Sequence, residues 1–180
     1  MISDQILSGY LRDFQTQQGL ENADEPELFS KFALFCVICK QTGNPKSLDD
    51  LDTDGGQDTG IDGIAVLVND RLVNDKEDID YFRDSGRLEV EFLFIQAKSS
   101  PKFDSGEIGK FLFGVQNFFE SAPKVASSPI ISSFRDVKDY VYQNSIHLKR
   151  APVCRLFYAT TGKWTNEPFL VGRIEHEVKN

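Results

Sequence analysis

Apolar residues fall along this chain in two patterns, helical spacing and short continuous runs, and each predicts an element. Ile6, Leu7, Tyr10, Leu11 and Phe14 follow helical spacing within residues 2–15, so a short amphipathic helix is expected, broken at Gln17-Gln18-Gly19. A second helix has a clear start: Asp24 caps, Pro26 suits the first turn, and Glu27 stands in capping-box register. Its residues Leu28, Phe29, Phe32, Ala33, Phe35, Cys36, Ile38 and Cys39 are apolar on most faces, which describes a helix buried on more than one side and ending near Thr42-Gly43. Residues 46–60 form a loop rich in Asp and Gly.

Ile61–Val68 is a short, apolar, β-branched run that reads as a strand, with Asn69-Asp70 turning it into Arg71-Leu72-Val73. The polar, acidic residues 74–87 read as an exposed loop or long hairpin connection. Leu88–Ala97 is the strongest strand; Phe92–Ile95 are apolar at both parities, which places its inner end inside a sheet. A helix opens at Ser105 and runs to about 121 with Ile108, Phe111, Leu112, Val115, Phe118 and Phe119 on one face, and another is expected over 128–148. Val153–Thr160 reads as a further buried strand turned by Thr161-Gly162, and Asn166–Val178 as a helix capped by Asn166.

The 180 residues, 40% hydrophobic with 15 Phe, make one α/β domain, its core spanning about 24–164 with a helix before it and the start of a helix after it. The pattern stops inside that last helix, which suggests a further C-terminal region of the same protein. Charge is unevenly placed: residues 1–86 carry a net of −11 and residues 87–180 a net of +3. The acidic total disfavours a passive nucleic-acid coat, yet it suits an enzyme that gathers carboxylates to hold a metal beside a phosphate. Three cysteines cannot all pair, no apolar run approaches the length of a membrane span, and the N-terminus lacks the features of a signal peptide. A soluble cytoplasmic protein is expected.

Several constellations suggest chemistry. Asp50, Asp52, Asp54, Gly55 and Asp58 match part of a calcium loop, but Gln57 and Ile61 stand where an apolar residue and a bidentate Glu belong, so a calcium-regulated module is the weaker reading. Cys36 and Cys39 form a CxxC a turn or more inside an apolar helix, where core packing explains them better than zinc or redox chemistry. The two histidines lack a nucleophile elbow, and there is no phosphate-binding GxxxxGK[ST] loop. What survives is Asp62, in Gly60-Ile61-Asp62-Gly63 at the mouth of a strand, with Gln96 and Lys98 at the end of the central strand. Side chains alternate, so Gln96 and Lys98 project to one face. A carboxylate, an amide oxygen and an ammonium at adjacent strand ends suit a Mg²⁺ ion and a water directed at a phosphodiester.

These residues resemble the D…QxK variant of the PD-(D/E)xK restriction-endonuclease-like nucleases. The wider set, Glu27-Leu28-Phe29 with Phe32-Ala33, Asp58-Thr59-Gly60-Ile61-Asp62-Gly63-Ile64-Ala65, Val68-Asn69 and Gln96-Ala97-Lys98-Ser99, is similar to the N-terminal nuclease-like region of abortive infection phage resistance proteins. The resemblance implies an αβββαβ core with a mixed sheet and a Mg²⁺ (or Mn²⁺) site at its open end, cleaving DNA in anti-phage defence. Asp62 takes the metal-binding aspartate role, Gln96 the position usually held by Asp or Glu, the Ala97 carbonyl a backbone ligand, and Lys98 positions the attacking water. Glu27 is either a metal ligand from the first helix or the capping-box residue; Asp58 is a second carboxylate that could contribute, but solvation in the loop explains it better. Gln116, off the apolar helix face, suits a phosphate contact, and Lys102, Lys110 and Lys124 offer DNA-facing charge. Trp164 suits base stacking or packing on the last helix. A homodimer is compatible with the pattern, as is a catalytically inactive relative that binds nucleic acid or protein, since Gln96 is neutral.

Overall fold

The computed structural model describes residues 2–43, 51–53 and 60–179. Helix α1 (Gln5–Gln18) starts where Asp4 accepts hydrogen bonds from the Ile6 and Leu7 amides and ends at Gly19, whose φ of 67° is the left-handed conformation that glycine adopts freely. Helix α2 (Glu25–Thr42) begins at Asp24, which caps the Glu27 amide, and ends at Gly43. Strand β1 (Gly63–Val68) turns at Asn69-Asp70, both at positive φ, into β2 (Arg71–Val73). The remaining elements are α3 (Lys76–Ser85), β3 (Val90–Lys98), α4 (Ser105–Phe119), α5 (Pro129–Gln143), a 3₁₀ turn at Ser145–His147, β4 (Val153–Thr160) and α6 (Pro168–Lys179).

Among the described residues four strands form one mixed sheet in the order β2-β1-β3-β4, antiparallel except for the parallel β3–β4 pair. With α2 before β1 and α4 before β4, the core reads α, β, β, β, α, β, and α3 and α5 are additions to it. Phe92 and Phe94 of β3 meet Phe118 and Phe119 of α4 at centroid separations of 5.0–6.1 Å. The other face meets α2, so closely that a Cβ on Gly63 would stand 2.7 Å from Leu34 Cδ1. Beyond α2, Phe14 of α1 packs on Phe32 and Phe35. A sheet covered on both faces explains why every residue of β1 is buried.

Five expectations are corrected. Residues 74–87 are not a loop: Asp75 caps Asp78 and starts α3, Ile79 is wholly buried, and Tyr140 Oη of α5 donates to Asp80 at 2.6 Å. Its apolar positions are too few for a clear helical period, and its acidic first turn is a favourable helix start that resembles a polar loop in sequence. Strand β4 is not buried; it lies at the sheet edge, with every residue exposed or half-buried. Cys36 is exposed and Cys39 half-buried, because Leu34 and Ile38 take the sheet-facing side of α2. Finally, α5 ends at Gln143, and Asn166 adopts a left-handed φ of 54° two residues ahead of α6. Asp50, Asp54 and Asp58 of the calcium-loop reading lie outside the described residues.

The exits of β3 and β4 are laced together. Thr161 Oγ1 donates to the Ser99 carbonyl at 3.1 Å, Thr160 Oγ1 donates to the Ser100 carbonyl, and a Cβ on Gly162 would stand 1.9 Å from the Pro101 oxygen. Because backbone cannot yield as a side-chain tip can, Gly162→Ala is expected to destabilise by more than about 2 kcal/mol. Urea denaturation checks this; an unchanged midpoint would show that the two exits are not held in contact.

Candidate metal and phosphodiester site

Asp62 reaches the sheet's open end through three backbone contacts. Its amide donates to the Ile95 carbonyl at 2.9 Å, continuing the β1–β3 ladder one residue past the strand, and its carbonyl accepts from the Thr53 amide at 3.2 Å. Residues 51–53 thus lie beside the entry to β1, where Asp52 pairs with Gly63 and the Ile64 amide donates to the Leu51 carbonyl at 3.0 Å. The Thr53 hydroxyl donates to the Ile61 carbonyl, fixing the backbone on which Asp62 stands. The Asp62 carboxylate then crosses to the neighbouring strand, where Oδ2 accepts from the Ala97 amide at 2.8 Å. That bond fixes the orientation of the carboxylate.

Around Asp62 a cleft of about 450 Å³ opens, lined by Glu27, Asp52, Ala97 and Lys98, together with Pro26, Ser30, Ser99 and Ser100. Glu27 comes from the first turn of α2. Its amide is capped by Asp24 Oδ1 at 2.9 Å, while its carboxylate faces Lys31 at 3.9 Å. Lys31 also binds Asp52 Oδ2 at 2.5 Å, so one ammonium stands between two carboxylates of the cleft. On the far side, Lys98 Nζ pairs with Glu107 Oε2 of α4 at 3.1 Å.

The predicted residues divide. Asp62, Ala97, Lys98 and Glu27 share the cleft, whereas Gln96 does not line it. Gln96 shares the α4-facing side of β3 with Phe92 and Phe94 and is fully buried, and neither atom of its amide has a hydrogen-bond partner among the described residues. Each such buried group costs about 1–3 kcal/mol unless something outside the protein satisfies it. Beside it in register on β4 is Tyr158, whose hydroxyl is likewise buried without a partner among the described residues. Burial pushes the Tyr158 phenol up to about 12, with the Glu107, Asp104 and Asp62 carboxylates adding to the effect.

The proposed substrate contacts scatter. Lys102 and Lys110 are exposed at the α4 end nearest the cleft. Gln116 lies further along α4, in a separate groove, with Nε2 donating to Glu177 Oε2 at 3.4 Å. Lys124 pairs with Glu120 at 3.6 Å. Trp164 packs edge-on against Phe103 at 4.9 Å and lines a groove with Ile174 and Val178 of α6. Sequence reasoning missed Glu107 and Tyr158, and it singled out Asp52 only as part of a calcium loop. Glu107 was open to discovery, since it stands in the first turn of the helix that follows Lys98.

The donor set suits a hard divalent cation. Among the described residues no three His, Cys, Asp or Glu side chains form a group able to hold a metal. Mg²⁺ does not need such a cage, because it is usually held by one or two carboxylates, waters and substrate phosphates. Asp62 and Glu27 meet that requirement in kind. Compared with models of protein families, with curated proteins and with solved structures, the chain gives no match.

Since Asp62 anchors backbone as well as facing the cleft, its two roles are separable. Asp62→Ala orphans the Ala97 amide and is expected to cost about 1–2 kcal/mol, whereas Asp62→Asn keeps an acceptor oxygen and costs less than half as much. Urea unfolding of both variants decides: equal losses would mean that the carboxylate charge, and not the hydrogen bond, holds the strand ends.

Proposed function

We propose that this domain is a metal-dependent endonuclease of the PD-(D/E)xK type, hydrolysing phosphodiester bonds in DNA, acting in the cytoplasm in defence against phage. The observation that carries the reading is the convergence of Asp62, Ala97, Lys98 and Glu27 on one cleft at the open end of the sheet. Asp62 and Glu27 would hold Mg²⁺ or Mn²⁺ there, with the Ala97 carbonyl as a backbone ligand. When bound, the ion polarises the phosphate and lowers the pKa of a coordinated water.

The protein's own part follows from its geometry. The Ala97 amide holds the Asp62 carboxylate in one orientation. The Lys98 ammonium, at the rim of the cleft, orients the attacking water and offsets charge developing on the phosphoryl oxygens. Exposed Lys102 and Lys110 bring positive charge to the same end of α4, where a DNA backbone would lie. Among the described residues no helix is long and apolar enough to cross a membrane.

A second reading, a nuclease-like module that binds nucleic acid or protein without cutting, draws on Gln96, whose buried amide stands off the cleft. Calorimetric titration with Mn²⁺ and cleavage of supercoiled plasmid separate the two. The nuclease reading expects binding and nicking, with Asp62→Asn and Lys98→Ala each lowering the cleavage rate by at least about 100-fold. Cleavage surviving both substitutions would sink it, and Asp62-dependent DNA or protein binding without cleavage would favour the second.

A further inference from the structure

We propose that Glu107 is the positioning residue of Lys98: helix α4 supplies the carboxylate that strand position 96 lacks. The inference rests on the nuclease reading of the cleft. In a strand ending (D/E)xK, the acidic residue two positions before the lysine shares its face. Here that position offers an amide, which is fully buried and makes no hydrogen bond to Lys98 or to any other described residue.

The Lys98 ammonium leaves the end of the buried strand partly exposed, and Glu107 Oε2 is its partner at 3.1 Å. Glu107 is well placed for the task. Its amide is tied to Asp104 Oδ1 at 3.0 Å in the capped first turn of α4, and the same helix is fixed to the sheet by Phe118 against Phe92 and Phe94. Helix α4 covers the face of β3 that carries Phe92, Phe94 and Gln96, and Ile108 beside Glu107 packs with Tyr158, so Glu107 stands on the Gln96–Tyr158 side of the sheet. Both partners are partly solvated, so the pair adds little to stability, and its consequence is geometric: it restricts a flexible lysine at the rim of the cleft.

The test compares wild type, E107Q, E107D and Q96E/E107Q. Amine acetylation read by mass spectrometry reports Lys98 directly, with exposed Lys102 as the internal control, and Mn²⁺-dependent plasmid cleavage reports function. E107Q is expected to acetylate Lys98 roughly three- to tenfold faster at an unchanged Lys102 rate and to cleave slower by a similar factor. The Q96E change should reverse both effects by restoring a carboxylate on the same strand face, which a merely structural role of Glu107 in the helix would not allow. If the buried carboxylate of Q96E prevents folding, E107D decides, since protection of Lys98 must follow the charge at position 107. Wild-type acetylation in E107Q, or unchanged cleavage by E107Q from a protein that cuts, overturns the inference and leaves the nuclease reading standing. A wild-type protein that cuts nothing overturns that reading, and the role of Glu107 falls with it.

Discussion

The hydrogen bond from the Ala97 amide to the Asp62 carboxylate joins two points 35 residues apart, and the site is arranged around it. On one side it continues the β1–β3 ladder past Gly63, where the Ile95 carbonyl receives the Asp62 amide. On the other it fixes Ala97, the residue between Gln96 and Lys98, so the faces of those two side chains follow from the pleat. The strand pair can carry this precision because both faces of the sheet are covered, by α2 over Gly63 and by α4 over Phe92 and Phe94. A charged side chain at the end of such a strand has one direction in which to find water, and the cleft opens there.

The parts of the fold that read clearly in sequence are those in which local signals and burial agree. Asp24 with Pro26 and Gly43 bracket α2, Asn69-Asp70 takes the positive φ values of a tight hairpin turn, and the doubly apolar Phe92–Ile95 marks the central strand. Helix α3 was illegible because two inward residues, Ile79 and Phe82, suffice once α5 supplies Tyr140 and Asn144 to bind Asp80 and Arg83. The edge position of β4 was hidden for a related reason: VCRLFYAT is apolar enough for a central strand, and only the sheet order shows that nothing pairs beyond it among the described residues.

The candidate site was legible along the strands and opaque across them. Alternation places Gln96 and Lys98 on one face, but it does not say how deep each lies; α4 seals the first and leaves the second at the rim. Asp52 reaches the cleft by pairing beside Gly63, a contact that no local pattern announces. Glu107 owes its place to the turn at residues 99–104, which returns the chain over the end of β3. The uneven charge acquires a structural meaning from these contacts. Carboxylates of the acidic half, Glu27, Asp52 and Asp62, meet Lys98 of the basic half across one cleft, so the boundary between the two halves of the sequence is folded into the proposed site.

The central claim is that this seam holds a divalent cation for phosphodiester chemistry. A crystal structure of the protein soaked in Mn²⁺, with anomalous scattering locating the ion, tests it most directly. The account predicts one ion in the cleft within ligating distance of the Asp62 carboxylate, with Glu27 or the Ala97 carbonyl beside it and the Lys98 ammonium facing its water. Manganese found only at surface carboxylates away from Asp62, at concentrations that saturate the protein in solution, would contradict it.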